Sequence, residues 1–167
     1  MKPSLTDELC TICGLCCDGS LLDDVELKSD GEASGLELMG LQIDWDNDPA
    51  LPLPCRALNG KLCRIYENRP NTCRRFECKL LQRTKRGEVS VDEAKAVIVK
   101  TQKQAASVKR IFAEIEGGEG EGSLRERYQT TLENQDDAKD PDQVLYTQLN
   151  KEMDCMEGLV DRYFIDL

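Results

Sequence analysis

Beyond residue 87 the apolar positions recur every three or four residues, the period of a helix that buries one face. Ala94, Val97, Ile98, Thr101, Ala105, Val108, Phe112 and Ile115 form one such stripe. Ser90 with Glu93 supplies a capping box ahead of it, and Gly117 and Gly118 end it. An acidic, Gly-rich stretch from Glu116 to Gly122 reads as a flexible loop. A second box, Ser123 with Glu126, opens a shorter helix carrying Leu124, Tyr128 and Leu132. The run Asp140-Pro141-Asp142-Gln143 caps a third, with Val144, Leu145, Leu149, Met153, Met156, Val160 and Phe164 turned inward. Stripes of this kind predict a helical hairpin or small bundle packed on itself, in preference to a dimer seam or a partner-docking face.

Ahead of residue 87 that periodicity fades. Leu36 to Ile43 offers apolar pieces for a strand or two. Pro49, Pro52 and Pro54 exclude regular structure and deliver an extended segment to Cys55, while Pro70 breaks any helix and turns the chain back toward Cys73. Trp45 is expected in the core or as a lid. Asp44, Asp46 and Asp48 lack the Gly and Glu of a calcium loop and read as a solvated acidic turn. The fold class that follows is α+β: a small irregular cysteine-rich metal-binding module over residues 1–86, followed by a mostly helical extension over 87–167.

What the first half has in place of an apolar pattern is sulfur. Of nine cysteines in 167 residues, eight lie between Cys10 and Cys78. They read Cys10-Thr-Ile-Cys13-Gly-Leu-Cys16-Cys17, then Pro54-Cys55, then Cys63 through Cys73 to Cys78. Short Cys-x-x-Cys spacings let two thiolates reach one soft or borderline ion, zinc or iron. A disulfide framework is the rival, disfavoured by the odd cysteine count and the repeated Cys-x-x-Cys spacing. Adjacent Cys16 and Cys17 either serve different sites or include a bystander, and the eight make two four-thiolate sites or one site with spare thiols. Cys155 stands alone on the last helix and is expected to be a small buried apolar residue outside the ligand set.

Charge narrows the partners. A net charge of -10 opposes nucleic acid or a membrane surface as partner, both being polyanionic. The acids crowd residues 1–54, whereas residues 55–86 carry Arg56, Lys61, Arg64, Arg69, Arg74, Arg75, Lys79, Arg83, Lys85 and Arg86 against Glu67 and Glu77. That block is expected to offset the negative charge of filled four-thiolate sites and to lower the thiol pKa values. The acidic start of the chain and the lack of a long apolar run predict a reducing compartment such as the cytoplasm.

The run Cys-x-x-Cys-x-x-Cys-Cys, then Pro-Cys, then Cys63-Arg-Ile-Tyr66-Glu-Asn-Arg69-Pro70-Asn-Thr-Cys73-Arg74-Arg-Phe-Glu-Cys78 resembles the zinc- or iron-chelating CxxCxxCC cysteine-cluster family, itself similar to the metal-binding part of flagellin N-methylases. The resemblance implies metal ligation by Cys10, Cys13, Cys16, Cys17, Cys55, Cys63, Cys73 and Cys78, with Tyr66, Arg69, Pro70 and Arg74 as companions of the motif. Of these, Tyr66, Arg69 and Arg74 are the expected cofactor-binding residues, packing over the cage. The cofactor implied is zinc or iron, a 4Fe-4S cluster being one form of the latter.

The chain contains no histidine, which removes the commonest general base and every mixed Cys/His site. No glycine-rich phosphate loop follows a strand, so a methyl transfer of the flagellin type lacks its donor site. The sequence therefore predicts a cytoplasmic protein whose all-cysteine cage is accessory or structural. Its alternatives are an iron-sulfur oxidoreductase, maturation factor or protein-modifying accessory, and a scaffold that binds an unnamed protein partner.

Overall fold

The computed structural model describes residues 4–118, 120–137 and 142–166. Its order is α1 (Leu5–Cys13), β1 (Asp24–Glu26), α2 (Asp30–Leu38), β2 (Ala50–Pro52), β3 (Leu58–Asn59), β4 (Leu62–Cys63), a 3-10 turn (Tyr66–Asn68), α3 (Asn71–Arg75), α4 (Lys79–Lys85), α5 (Val91–Glu116), α6 (Leu124–Asp137) and α7 (Gln143–Tyr163). It is an α+β fold in which a cysteine-rich region is followed by helices. β1 pairs antiparallel with β2, Val25 opposite Leu51, and β3 with β4, Leu58 opposite Cys63.

The three expected C-terminal helices form, and their caps explain where they begin. Ser90 accepts from the Glu93 amide while the Glu93 carboxylate reaches back to the Ser90 amide, and Gly117 at φ 74° stops α5. Ser123 and Glu126 repeat the box for α6. Asp142 caps α7 by accepting from the Val144 and Leu145 amides; Asp140 and Pro141 lie outside the described residues.

Two separate cores result. The larger joins α5 and α7 to α1 and α4: Leu9, Leu15, Leu80 and Leu81 pack with Ile98, Val108, Phe112, Leu149, Met156 and Phe164. It draws on both sides of residue 86. The smaller lies under the two-strand sheets and α2, built from Val25, Leu27, Ala33, Leu36, Leu41, Ile43, Leu51, Leu53 and Ala57 without an aromatic ring.

Several expectations need correcting. Leu36 to Ile43 does not make a strand; Ser29 caps α2 across Asp30–Leu38, burying only Ala33 and Leu36. The proline-rich segment is not irregular throughout, because Pro52 sits at the end of β2 opposite Asp24, where a missing amide is tolerated. Trp45 is 43% exposed and donates its indole N–H to Glu37 at 3.0 Å, so it is a surface residue. Val144 is exposed because it lies in the first turn of α7, and Tyr146 takes the buried position instead. Cys155 is exposed, on the outer face between Met153 and Met156.

Candidate metal centre

Cys10 and Cys13 lie three residues apart near the end of α1, on one helix face. Gly14 then takes φ 70°, a left-handed conformation that costs an L side chain about 1–2 kcal/mol. The reversal folds the chain into a tight turn in which the Cys17 and Asp18 amides both donate to the Gly14 carbonyl at 3.0 Å. Cys16 and Cys17 occupy this turn. Across from it, Cys78 stands at the N-cap position of α4 without a side-chain capping hydrogen bond. Helices α1 and α4 pack together, which brings Cys78 to the end of α1. Cys13, Cys16 and Cys78 all lie against the edge of the larger core.

The other cysteines gather around the smaller core. Cys55, Cys63 and Cys73 pack against its edge. The Cys55 amide donates to the Cys17 carbonyl at 2.7 Å, tying the first cysteine run to the second. Leu58 donates to the Cys55 carbonyl at 2.9 Å and pairs with Cys63 across the hairpin. Cys73 sits on α3, which is held in place by Thr72 Oγ1 donating to the Glu26 carbonyl at 2.7 Å and by the Asn71 amide donating to Glu32.

All nine cysteines are free thiols. Burial is the largest cause that pushes Cys10 and Cys73 up to about 11, Cys13 and Cys17 up to about 12, and Cys16 well above its ordinary value. Burial likewise raises Cys55 and Cys78. Cys10 is exposed as a whole residue, yet the protein packed about its sulfur still makes desolvation its dominant influence. Neighbouring sulfurs add repulsion selectively: Cys78 raises Cys10, Cys13 and Cys16, whereas Cys73, Cys55 and Cys63 raise Cys17. A sulfur held this way stays protonated near neutral pH unless a cation replaces its proton.

The basic block does less for these thiols than its sequence suggests. Arg69 lowers Cys10 and Cys73, Lys85 lowers Cys10 and Arg64 lowers Cys55, but desolvation outweighs each. Many of the other bases are engaged elsewhere. Arg74 donates to the Arg69 and Glu67 carbonyls, Lys79 pairs with Asp166, and Arg83 and Arg86 pair with Glu88.

Tyr66, Arg69 and Arg74 form a brace between the two cysteine groups. The Tyr66 hydroxyl donates to Asp7 Oδ1 on α1 at 2.5 Å, the Arg69 guanidinium stacks 3.5 Å over the Tyr66 ring, and Arg69 Nε donates to the Tyr66 carbonyl. Residues that sequence reasoning passed over complete the frame. Gln102 on α5 donates to the Ile12 and Cys13 carbonyls at 2.8 and 2.6 Å, satisfying groups orphaned at the end of α1. Lys109 pairs with Asp18 at 2.8 Å, just after the cysteine turn. Neither carries a sequence signal, because both act across about ninety positions of chain.

Among the described residues, no three side chains of His, Cys, Asp and Glu converge tightly enough to hold an ion. The two neighbourhoods are set by the backbone, and each cysteine has a single χ1 rotor with which to aim its sulfur. The candidate donors are cysteine sulfurs, a type that suits zinc, iron or an iron-sulfur core and not calcium or magnesium.

Free thiols, most of them half-buried at the edges of two cores, define a cysteine-rich class of fold. A family model, CxxCxxCC, described as a "putative zinc- or iron-chelating domain", matches residues 9–93, just over half of the chain, and the chain belongs to that family. No curated protein and no solved structure matches it.

Proposed function

We propose that this protein chelates zinc or iron through Cys10, Cys13, Cys16, Cys17, Cys55, Cys63, Cys73 and Cys78, and that the bound metal holds the N-terminal half in shape. The observation that carries this reading is the placement of Cys13, Cys16 and Cys78 at the edge of the larger core and of Cys55, Cys63 and Cys73 at the edge of the smaller one, which has no aromatic residue. A core of that size supplies little burial, and a cation cross-linking segments from residue 10 to residue 78 supplies what burial does not. Zinc would close four-thiolate sites and remain redox-silent; iron with sulfide would occupy the same ligands as a cluster. Tyr66, Arg69 and Arg74 serve as the brace and as nearby positive charge. Eight uncrosslinked thiols suit a reducing compartment such as the cytoplasm, and among the described residues no helix is long and apolar enough to cross a membrane. The role is accessory or structural.

The test is elemental analysis of anaerobically purified full chain, with acid-labile sulfide counted. Stoichiometric zinc, or iron with sulfide, is the expected result. Protein that carries no metal and takes up none when Zn2+ is offered overturns the proposal.

A further inference from the structure

Resting on the metal-binding reading above, we infer that the eight thiols form two separate four-cysteine sites, Cys10, Cys13, Cys16 and Cys78 in one and Cys17, Cys55, Cys63 and Cys73 in the other, abutting at the Cys16–Cys17 peptide. The sequence leaves open whether there is one site or two and which sulfurs share an ion. Three independent geometric facts divide them in the same way.

The first is the pair of cores. Cys13, Cys16 and Cys78 pack against the larger one, and Cys55, Cys63 and Cys73 against the smaller one, with no cysteine shared. The second is the backbone. Cys10 belongs with Cys13, one turn away on the same face of α1, and α1 packs on the helix that Cys78 caps. Cys17 belongs with Cys55, because the Cys55 amide donates to the Cys17 carbonyl, and Cys55 is tied through Leu58 to Cys63. The third is the adjacency of Cys16 and Cys17. Side chains of successive residues diverge, so one residue of each set can come from one short turn.

This arrangement explains a feature that a single cage leaves without purpose. Each set draws on distant segments, residues 10–16 with 78 and residue 17 with 55–73, so each ion closes its own long loop. The first site fastens α4 to α1 on the helical core; the second fastens α3 and the β3–β4 hairpin to the turn after α1. Arg69 stacks on Tyr66, whose hydroxyl donates to Asp7 on α1, and so joins the segment between Cys63 and Cys73 to the helix that carries Cys10 and Cys13.

The experiment uses the full wild-type chain loaded with Zn2+ alone, followed by stepwise withdrawal with a chelator and mapping of each cysteine's alkylation by mass spectrometry. Two zinc ions per chain and loss of protection in two blocks, one block comprising Cys10, Cys13, Cys16 and Cys78 and the other Cys17, Cys55, Cys63 and Cys73, are expected. Simultaneous loss from all eight, or blocks that mix the two sets, overturns the partition while leaving metal binding intact. Absence of zinc uptake overturns metal binding itself. As a second arm, Cys13→Ser and Cys63→Ser should each halve the zinc bound, and the two together should abolish it. If either single change removes both ions, the sites are not separate.

Discussion

At the scale of single residues, the thiols and the groups that aim them decide the chemistry. Since burial keeps Cys13 and Cys17 protonated well past neutral pH, loading a four-thiol site near pH 7 should release about four protons. Metal retention should then weaken as pH falls, which a pH-stat titration with Zn2+ measures directly; uptake without proton release would contradict it. Asp7 is held below its ordinary value of 3.8, first by the Tyr66 hydroxyl and then by Ser4. A carboxyl with a lowered folded pKa contributes stability that is present above the unfolded value and lost as pH falls through the folded one. Tyr66→Phe should therefore raise the Asp7 pKa toward 3.8, visible as a shift of its carboxyl titration by NMR. Gln102→Leu leaves the Ile12 and Cys13 carbonyls without their donor and should loosen the metal held at the end of α1 more than that held by Cys63. The motif itself offers the cysteines and Tyr66 as candidates, whereas Gln102 and Lys109 carry no such mark, because a polar residue on a helix announces nothing about a partner about ninety positions away.

At the scale of elements, local rules account for most of what forms. Both serine capping boxes and the Gly117 stop were legible, since they depend on residues only three or four apart. Ser90→Ala should cost about 1 kcal/mol of stability, read as a lower melting temperature. Gly14→Ala should cost about 1–2 kcal/mol from left-handed strain. It should also weaken the first metal site, because Gly14 turns Cys16 back toward Cys13; unchanged zinc retention in that variant would show the turn to be dispensable. The element that misled the sequence reading is α2. Leu36 and Leu38, then Leu41 and Ile43, are two short apolar pairs at strand spacing, yet the Ser29 cap and the helical spacing of Ala33 and Leu36 prevail, leaving Leu38 at 91% exposure. Trp45 and Cys155 were misplaced for a related reason. Their side chains are apolar enough to suit a core, but the helix phase in one case and the Glu37 hydrogen bond in the other set them outside.

Over the whole molecule, two cores of unequal strength share one chain. The larger one has Phe112 and Phe164 fully enclosed by α5, α7, α1 and α4, and Phe112→Ala should destabilise it by about 3–5 kcal/mol. The sequence announced this core by its stripes but not its reach into α1 and α4, since segments so short carry too few apolar positions to show a period. On the proposed reading, the smaller core is held by the cysteines packed at its edge. Hydrogen exchange on the zinc-loaded chain before and after chelation tests that dependence most directly. The expected result is that chelation abolishes amide protection in β1, β2 and the β3–β4 hairpin while α5 and α7 keep theirs. Equal protection of those strands with and without the metal would contradict the claim that sulfur and metal, rather than apolar burial, hold the N-terminal half together.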